Sequence, residues 1–272
     1  MKTLRTLVWL LVIPTCLSGS QRFTRATIQS TKPYQQMTLP ERSAFVSEQA
    51  RRLARQMSGR DYQFTPASEA EIQKAVEFYA RRIGNNGDRL GKGDARVIFE
   101  RGQTLAPTLI RIFKARDVSP LIGLYIPWIE SEYVNIQAPN SVGAVGMFQF
   151  LPQTGEHYGL SASELLDVEK SADAAARYIA AGMKTFDQDP MKEALALLAY
   201  NRGAGNVESD LATLVNQQNR GCSICALTEH RDNLDATFQS ENVYYVPRFF
   251  AAAIVGENPQ AFGLHTQPLS SF

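Results

Sequence analysis

Cysteine, histidine and tryptophan are scarce in this 272-residue sequence, which has three, three and two of them. Cys222 and Cys225 form a close pair, and two thiols without clustered histidines are too few for a tetrahedral zinc site. A redox pair of this spacing usually opens a helix in a βαβ unit, and no such unit is predicted here. We therefore expect a disulfide that closes a loop, with thiol–disulfide chemistry as the alternative function.

An excess of charge and a long apolar run are also missing. Lysine and arginine number 28 against 27 acidic residues, for a formal net charge of +1. This composition lacks the basic footprint of a nucleic-acid-binding protein, so no nucleic acid is expected as a partner. After residue 20, no apolar stretch approaches the roughly 18 residues that a membrane-spanning helix needs.

The first twenty residues have the pattern of a secretory signal peptide. Lys2 and Arg5 precede the apolar run Leu7 to Ile13, and small residues follow at Ser18 to Ser20. The sequence therefore predicts cleavage after residue 20 and a periplasmic location. An alternative is lipid modification of Cys16, which would anchor the chain to the outer membrane, although the residues before Cys16 fit that route badly. A membrane partner is expected only in that case.

The remaining sequence has helical periodicity almost throughout. Apolar residues recur every three or four positions, and no alternating run bounded by turns stands out, so the fold class predicted is all-α. The segment Ser68 to Glu71 has the pattern of a capping box and is predicted to open a helix. Residues 209–240 are polar and are expected to be irregular.

One predicted helix is apolar on every face and ends in an acid. Ser119 and Pro120 suit its start, the stretch Leu121 to Ile129 carries no charge, and Glu130 follows. Poor solvation and the negative end of the helix dipole both disfavour the carboxylate, so we expect a raised pKa and a general acid. The alternative is that Glu130 is only the first solvated residue after a core helix.

Four ordered motifs then resemble the lytic murein transglycosylases of the soluble-lytic-transglycosylase superfamily, which share the goose-type lysozyme fold. The resemblance covers about residues 70–265. The motifs are Glu130-Ser131-Glu132-Tyr133, the glycine-rich stretch Gly143 to Gly155, Ala199 to Val207 with Tyr200-Asn201 and Gly203, and Tyr245 to Ala252.

The resemblance implies cleavage of the β-1,4 bond between N-acetylmuramic acid and N-acetylglucosamine in peptidoglycan, without water, to leave 1,6-anhydromuramoyl ends. Glu130 would be the single catalytic acid and base, and no metal or cofactor is expected. The partners expected are peptidoglycan glycan strands, and a partner in the envelope or secretion machinery is left open. The alternatives are a hydrolytic goose-type lysozyme and an inactive peptidoglycan-binding module.

The same resemblance assigns substrate-binding residues around Glu130. In the family a serine that hydrogen-bonds the catalytic acid precedes the glycine that matches Gly143, but Asn140 holds that position here and Ser141 follows. Either residue is a candidate for that contact. The glycines Gly143 and Gly146 are expected to let the backbone approach a ligand or the helix that bears Glu130. The full set of expected substrate-binding residues is Asn140, Ser141, Gln149, Tyr200, Asn201, Glu241 and Tyr245.

Taken together, the patterns predict four segments. Residues 1–20 are a signal peptide, and 21–64 are a leader with one helix. Residues 65–118 are a helical extension packed on the catalytic domain, and 119–272 are a lysozyme-like helical transglycosylase domain.

Overall fold

The computed structural model describes residues 32–87, 89–214 and 222–272, all within one compact unit, Thr31–Phe272. Regular structure in these residues is helical, apart from a single bridge between Val145 and Phe150. The all-α prediction is therefore confirmed for the described chain. The predicted signal peptide and Cys16 lie outside the described residues. The α-helices are α1 (Leu39–Ser58), α2 (Pro66–Ala80), α3 (Ala95–Lys114), α4 (Pro120–Ser131), α5 (Pro152–His157), α6 (Val168–Thr185), α7 (Lys192–Arg202), α8 (Ala204–Thr213), α9 (Ser223–Glu229), α10 (Ala236–Ser240) and α11 (Tyr245–Glu257).

Two local predictions were wrong. Helix α2 begins at Pro66, before the expected capping box, and Ser68 is buried inside the helix. Proline suits the first helical position because its fixed φ is helical and its missing N–H costs nothing there. The segment 209–240 was expected to be irregular, but α8, α9 and α10 lie in it. α9 and α10 are two turns or less, too short to give a readable apolar period.

Helix α4 is the buried centre of the fold, as its sequence predicts. It packs against α3 and α11, and its side chains from Leu121 to Ile129 are all buried. The chain turns sharply where α4 ends, since Glu132 and Tyr133 both adopt positive φ, at 51° and 59°. The Tyr133 amide donates to the Pro127 carbonyl and closes the helix. Glu130 is thereby held in the last turn of a helix that is packed on all sides.

The N-terminal helices are part of the same core. α2 packs along α11, and α1 contacts α2, α11 and α4. A capping box between Thr38 and Glu41 opens α1. Among the described residues, no helix combines the length and the apolar character that crossing a membrane requires. The consequence for the site is that α2 and α11 lie side by side next to the end of α4.

Candidate active site

Glu130 and Tyr245 are brought into direct contact. Glu130 is partly buried in the last turn of α4, and its Oε1 accepts a hydrogen bond of 2.7 Å from the Tyr245 hydroxyl. Tyr245 is the first residue of α11 and is itself buried. Of the residues expected to surround the acid, Tyr245 is the one whose side chain hydrogen-bonds it.

The environment of Glu130 favours its protonated form. Burial raises the pKa of its carboxyl group from 4.5 to about 7, while the Tyr245 hydrogen bond and the positive charge of Arg248 act in the opposite direction. Arg248 is held nearby because its Nη2 donates to the Ile129 carbonyl at 2.7 Å. The expected rise in the pKa is found, and such a group can both donate and accept a proton near neutral pH.

The glycine-rich stretch is tied to the end of α4 by backbone acceptors. The Ser131 hydroxyl lies 2.7 Å from the Met147 carbonyl, and the Tyr200 hydroxyl donates to the Phe148 carbonyl at 2.8 Å. Tyr200 therefore anchors this stretch and makes no hydrogen bond to Glu130. Burial and the nearby Glu130 charge raise the pKa of the Tyr200 hydroxyl, so it remains a donor. The anchoring role of Ser131 was missed, since a serine after a glutamate gives no signal in sequence.

Asn140 and Gln149 hydrogen-bond within their own loop. The Asn140 Oδ1 accepts from the Val142 and Ala144 amides, and its Nδ2 donates to the Gln149 Oε1 at 3.3 Å. The Gln149 Nε2 donates to the Gly146 carbonyl at 2.7 Å. Ser141 is exposed, and neither it nor Asn140 hydrogen-bonds Glu130. Because the Asn140 side chain satisfies the amides of its own tight turn, it does not support Glu130 as expected. The hydrogen bond to Glu130 comes instead from Tyr245.

Asn201 and Glu241 lie on the segments that lead into the site without touching Glu130. The Asn201 Oδ1 accepts from the Asn242 Nδ2 at 2.7 Å, and Asn242 in turn accepts from Arg202. Glu241 is exposed, and its side chain makes no hydrogen bond or ion pair in the described structure. Substrate contacts for Asn201 and Glu241 therefore remain predictions.

An ionic cluster that was not predicted fixes the approach to α11, with the Arg202 and Asp210 side chains buried and Asp235 exposed. Arg202 pairs with Asp210 and Asp235 and donates to Asn242, at 2.5, 2.6 and 2.9 Å. Asn242 lies three residues before Tyr245, in the 3-10 turn Asn242–Tyr244. The cluster thus holds the start of α11 and, through it, the hydroxyl that contacts Glu130. These partners come from α8, from the residue that caps α10 and from the 3-10 turn before α11, and no local pattern in the sequence reveals them.

Glu132, the second acid of the Glu130 motif, is engaged elsewhere. It is buried, and its Oε1 lies 2.6 Å from the Arg82 Nη2. Arg82 also donates to the Gly93 carbonyl at 2.8 Å. A buried carboxylate paired in this way is a structural group, since removing one partner of a buried pair is strongly destabilising. The pair ties the end of α4 to the segment after α2.

A cavity of about 480 Å³ reaches Glu130 from the α2 side. Its walls come from α2, the end of α4 and the start of α11, and its lining includes Lys74, Phe78, Trp128, Glu130, Tyr244 and Arg248. The glycine-rich stretch Gly143 to Gly155 does not line this cavity, so a contact between that stretch and a ligand remains a prediction.

The cysteine pair lies apart from these residues. The Cys222 and Cys225 sulfurs are joined in the structure, and Cys225 is buried beside the Thr65 amide. No cluster of three or more potential metal ligands occurs in the described ranges.

The family match among the comparisons with known proteins includes Glu130 but not Tyr245. Residues 109–220 match the family described as "Transglycosylase SLT domain". Membrane-bound lytic murein transglycosylase D from Escherichia coli K12, and its counterpart from strain O6:H1, are each 28% identical over 149 residues. That alignment covers 53% of this chain but only 30% of those relatives. A solved structure of an inactive mutant of lytic transglycosylase Slt from Pseudomonas aeruginosa is 24% identical, with a TM-score of 0.43, covering 60% of this chain and 25% of that one.

Proposed function

We propose that this protein is a lytic transglycosylase that cleaves the glycan strands of peptidoglycan, since residues 109–220 match the family described as "Transglycosylase SLT domain". The observation that carries the proposal is the state of Glu130. It ends a buried helix, hydrogen-bonds a buried tyrosine, and has a pKa raised to about 7 by burial. A carboxyl group of this kind is a good proton donor to a glycosidic oxygen.

The reaction proceeds with Glu130 first as acid and then as base. The Glu130 carboxyl group donates its proton to the oxygen of the β-1,4 bond between N-acetylmuramic acid and N-acetylglucosamine, and the C1–O bond breaks. The resulting carboxylate takes the proton of the C6 hydroxyl of the same muramoyl residue as that oxygen bonds to C1. A 1,6-anhydro end forms, Glu130 is protonated again, and no water is consumed. The nucleophile belongs to the substrate, so its effective concentration is high.

The other acids that line the cavity support a mechanism with one carboxyl group. Glycosidases of the two-carboxylate kind need a second carboxylate as a nucleophile or to activate water. Glu132 is paired with Arg82, and Glu71 is paired with both Lys74 and Arg231. Neither is free to act on a sugar. Within the cavity this favours the non-hydrolytic reaction over that of a hydrolytic goose-type lysozyme, and the unpaired Glu241 lies outside the cavity lining.

Mass analysis of the products tests this proposal. Purified sacculi digested with the protein should release muropeptides with anhydro ends, each lighter by one water than the hydrolytic product. Reducing ends would show a lysozyme-like hydrolase. Binding to sacculi without release of fragments would show an inactive peptidoglycan-binding module.

Replacing Tyr245 by phenylalanine should extend activity to higher pH. The Tyr245 hydroxyl stabilises the ionised form of Glu130, so its loss raises the pKa of the carboxyl group further, by about 1 unit. The first step needs protonated Glu130, and kcat/KM falls as pH rises through this pKa. The basic limb of the profile of kcat/KM against pH should therefore move to higher pH by about the same amount. This shift is expected even if the maximum rate changes.

Tyr178→Phe is the matched control, since it removes a hydroxyl that bonds the Ala199 carbonyl. Its pH profile should coincide with that of the wild type. A basic limb that stays in place, or moves down, in Tyr245→Phe would show that the tyrosine does not set the proton affinity of Glu130.

The location and organisation of the chain are part of the proposal. A periplasmic enzyme, lipid-anchored only if Cys16 is modified, fits a peptidoglycan substrate. Residues 65–118 would act as a helical extension that supports the catalytic domain, since α2 packs on α11 and α3 on α4. Asn140, Ser141, Gln149, Asn201 and Glu241 are proposed to contact the glycan where it crosses the loop surface.

A further inference from the structure

Helix α11 begins without a side-chain hydrogen bond from its cap residue, Tyr244. Helices α1, α3, α6 and α10 each have such a bond at their start. The first amides of a helix have no partner within it, so other groups hold them. The Tyr245 amide donates to the backbone carbonyl of Asn242, in the 3-10 turn that leads into the helix. The position of Tyr245 therefore depends on Asn242.

Asn242 is itself fixed by two side chains from the end of α7. It is 5% exposed, its Oδ1 accepts from the Arg202 Nη1 at 2.9 Å, and its Nδ2 donates to the Asn201 Oδ1 at 2.7 Å. Arg202 is held in turn, since two of its nitrogens bind Asp210 at 2.5 and 2.8 Å. The side chain and the carbonyl of Asn242 thus join the last turn of α7 to the first residue of α11.

The contact between Tyr245 and Glu130 tolerates little movement. The Tyr245 hydroxyl lies 2.7 Å from the Glu130 Oε1. A hydrogen bond between two oxygens is normally no longer than about 3 Å. A shift of the start of α11 by about 0.5–1 Å would therefore weaken or break this bond, even in a protein that keeps its fold.

We propose that Asn242 is a positioning residue that aims the Tyr245 hydroxyl at Glu130. Its side chain bonds Asn201 and Arg202, and it acts on Glu130 only through Tyr245. The inference rests on the proposed function, because it takes Glu130 as the catalytic acid. It adds that the end of α7 helps to set the proton affinity of that acid. The family match ends at residue 220 and so does not include Asn242.

An NMR titration of Glu130 tests the inference without relying on activity. Glutamate carboxyl groups are isotope-labelled, and the Glu130 signal is identified by its loss in Glu130→Gln. Asn242→Ala weakens the Tyr245 hydrogen bond, which favours the carboxylate. The pKa of Glu130 should therefore rise, by about 1 unit at most, the rise expected for Tyr245→Phe. In the double variant Asn242→Ala and Tyr245→Phe, the pKa should rise no further than in Tyr245→Phe alone.

Asn258→Ala is the matched control at the other end of α11. Asn258 also accepts from an arginine, Arg52, at 3.3 Å, and it donates to the Ile254 carbonyl at 2.8 Å. Its replacement should leave the pKa of Glu130 at the wild-type value. Asn201→Ala is a milder second variant, because it changes an exposed residue and removes only one of the two side-chain bonds of Asn242. It should raise the pKa of Glu130 by a smaller amount than Asn242→Ala.

An unchanged pKa of Glu130 in folded Asn242→Ala would overturn the inference, and so would an equal rise in Asn258→Ala or a further rise in the double variant. If Asn242→Ala does not fold, an unchanged pKa in Asn201→Ala overturns it instead. In each case the proposed function stands as long as the wild type releases anhydro muropeptides from sacculi. Sacculi left intact by the wild type would overturn the proposed function, and the titration would still show whether Asn242 places Tyr245.

Discussion

Replacing Glu130 by glutamine should lower kcat on purified sacculi by about 10³-fold or more. Glutamine keeps the size of the side chain and can still accept the Tyr245 hydrogen bond, so the fold is preserved. It cannot donate a proton to the glycosidic oxygen or take one from the C6 hydroxyl, and each role is worth about 10²–10⁴-fold. Release of soluble muropeptides over time measures the loss, and sedimentation with sacculi shows that binding is retained.

Glu132→Gln is the matched control two residues away. It breaks the buried pair with Arg82 and should cost about 3–5 kcal/mol of folding free energy, yet the folded fraction should keep its activity. The two variants thus separate a chemical role from a structural one. The assignment fails if Glu130→Gln digests sacculi at the wild-type rate, or if only Glu132→Gln is inactive when folded.

The same Glu130 variant carries a second expectation, about stability. A carboxyl group whose pKa is raised from 4.5 to about 7 on folding does not destabilise the protein below pH 4.5. The stability lost to this group grows as pH rises from 4.5 to about 7 and then levels off at about 3 kcal/mol, and neutral glutamine avoids this loss. In urea unfolding, the free energy of unfolding of Glu130→Gln should therefore rise relative to that of the wild type between pH 5 and pH 8. A difference that does not change with pH would contradict the raised pKa.

The sequence was most informative where one local pattern decides both structure and chemistry. The uncharged stretch from Leu121 to Ile129 predicts a buried helix, and Glu130 lies where that helix ends. The same burial raises the pKa of the Glu130 carboxyl group. The helical class follows from the same periodicity. These expectations needed no knowledge of which distant residues meet.

The partners of each side chain were beyond the reach of sequence, because they depend on distant contacts. Asn140 was a candidate to support the acid, but its short amide side chain is used by the turn that contains it. Tyr245 reaches Glu130 across 115 positions in the chain. The Arg202 cluster that places Tyr245 likewise joins α7 and α8 to the residue that caps α10 and to the turn before α11. Such contacts depend on how the helices pack, and apolar spacing says little about that.

Gly146 was expected to let the backbone approach a ligand or α4, and the structure gives a different reason for it. A Cβ placed on Gly146 would lie 2.5 Å from the carbonyl oxygen of Leu165, and its φ is +76°. The close approach is therefore to the 3-10 turn Glu164–Leu166, and not to the helix that bears Glu130. Gly143 also has a positive φ, of +90°, but nothing lies within 4 Å of its Cβ position.

Gly146→Ala should accordingly lower the free energy of unfolding by about 2–4 kcal/mol, as the sum of left-handed strain and overpacking against a backbone atom. Gly143→Ala introduces only the left-handed backbone strain and should lower the free energy of unfolding by about 1–2 kcal/mol. Because the Met147 carbonyl next to Gly146 holds the Ser131 hydroxyl, the same variant should also lower kcat at temperatures where it is fully folded. Urea unfolding of both variants measures the loss of stability, and the rate of muropeptide release at about 20 °C measures the change in kcat. Equal costs at Gly143 and Gly146 would mean that the Leu165 carbonyl yields to the new methyl group, and would contradict a tight contact between Gly146 and that turn.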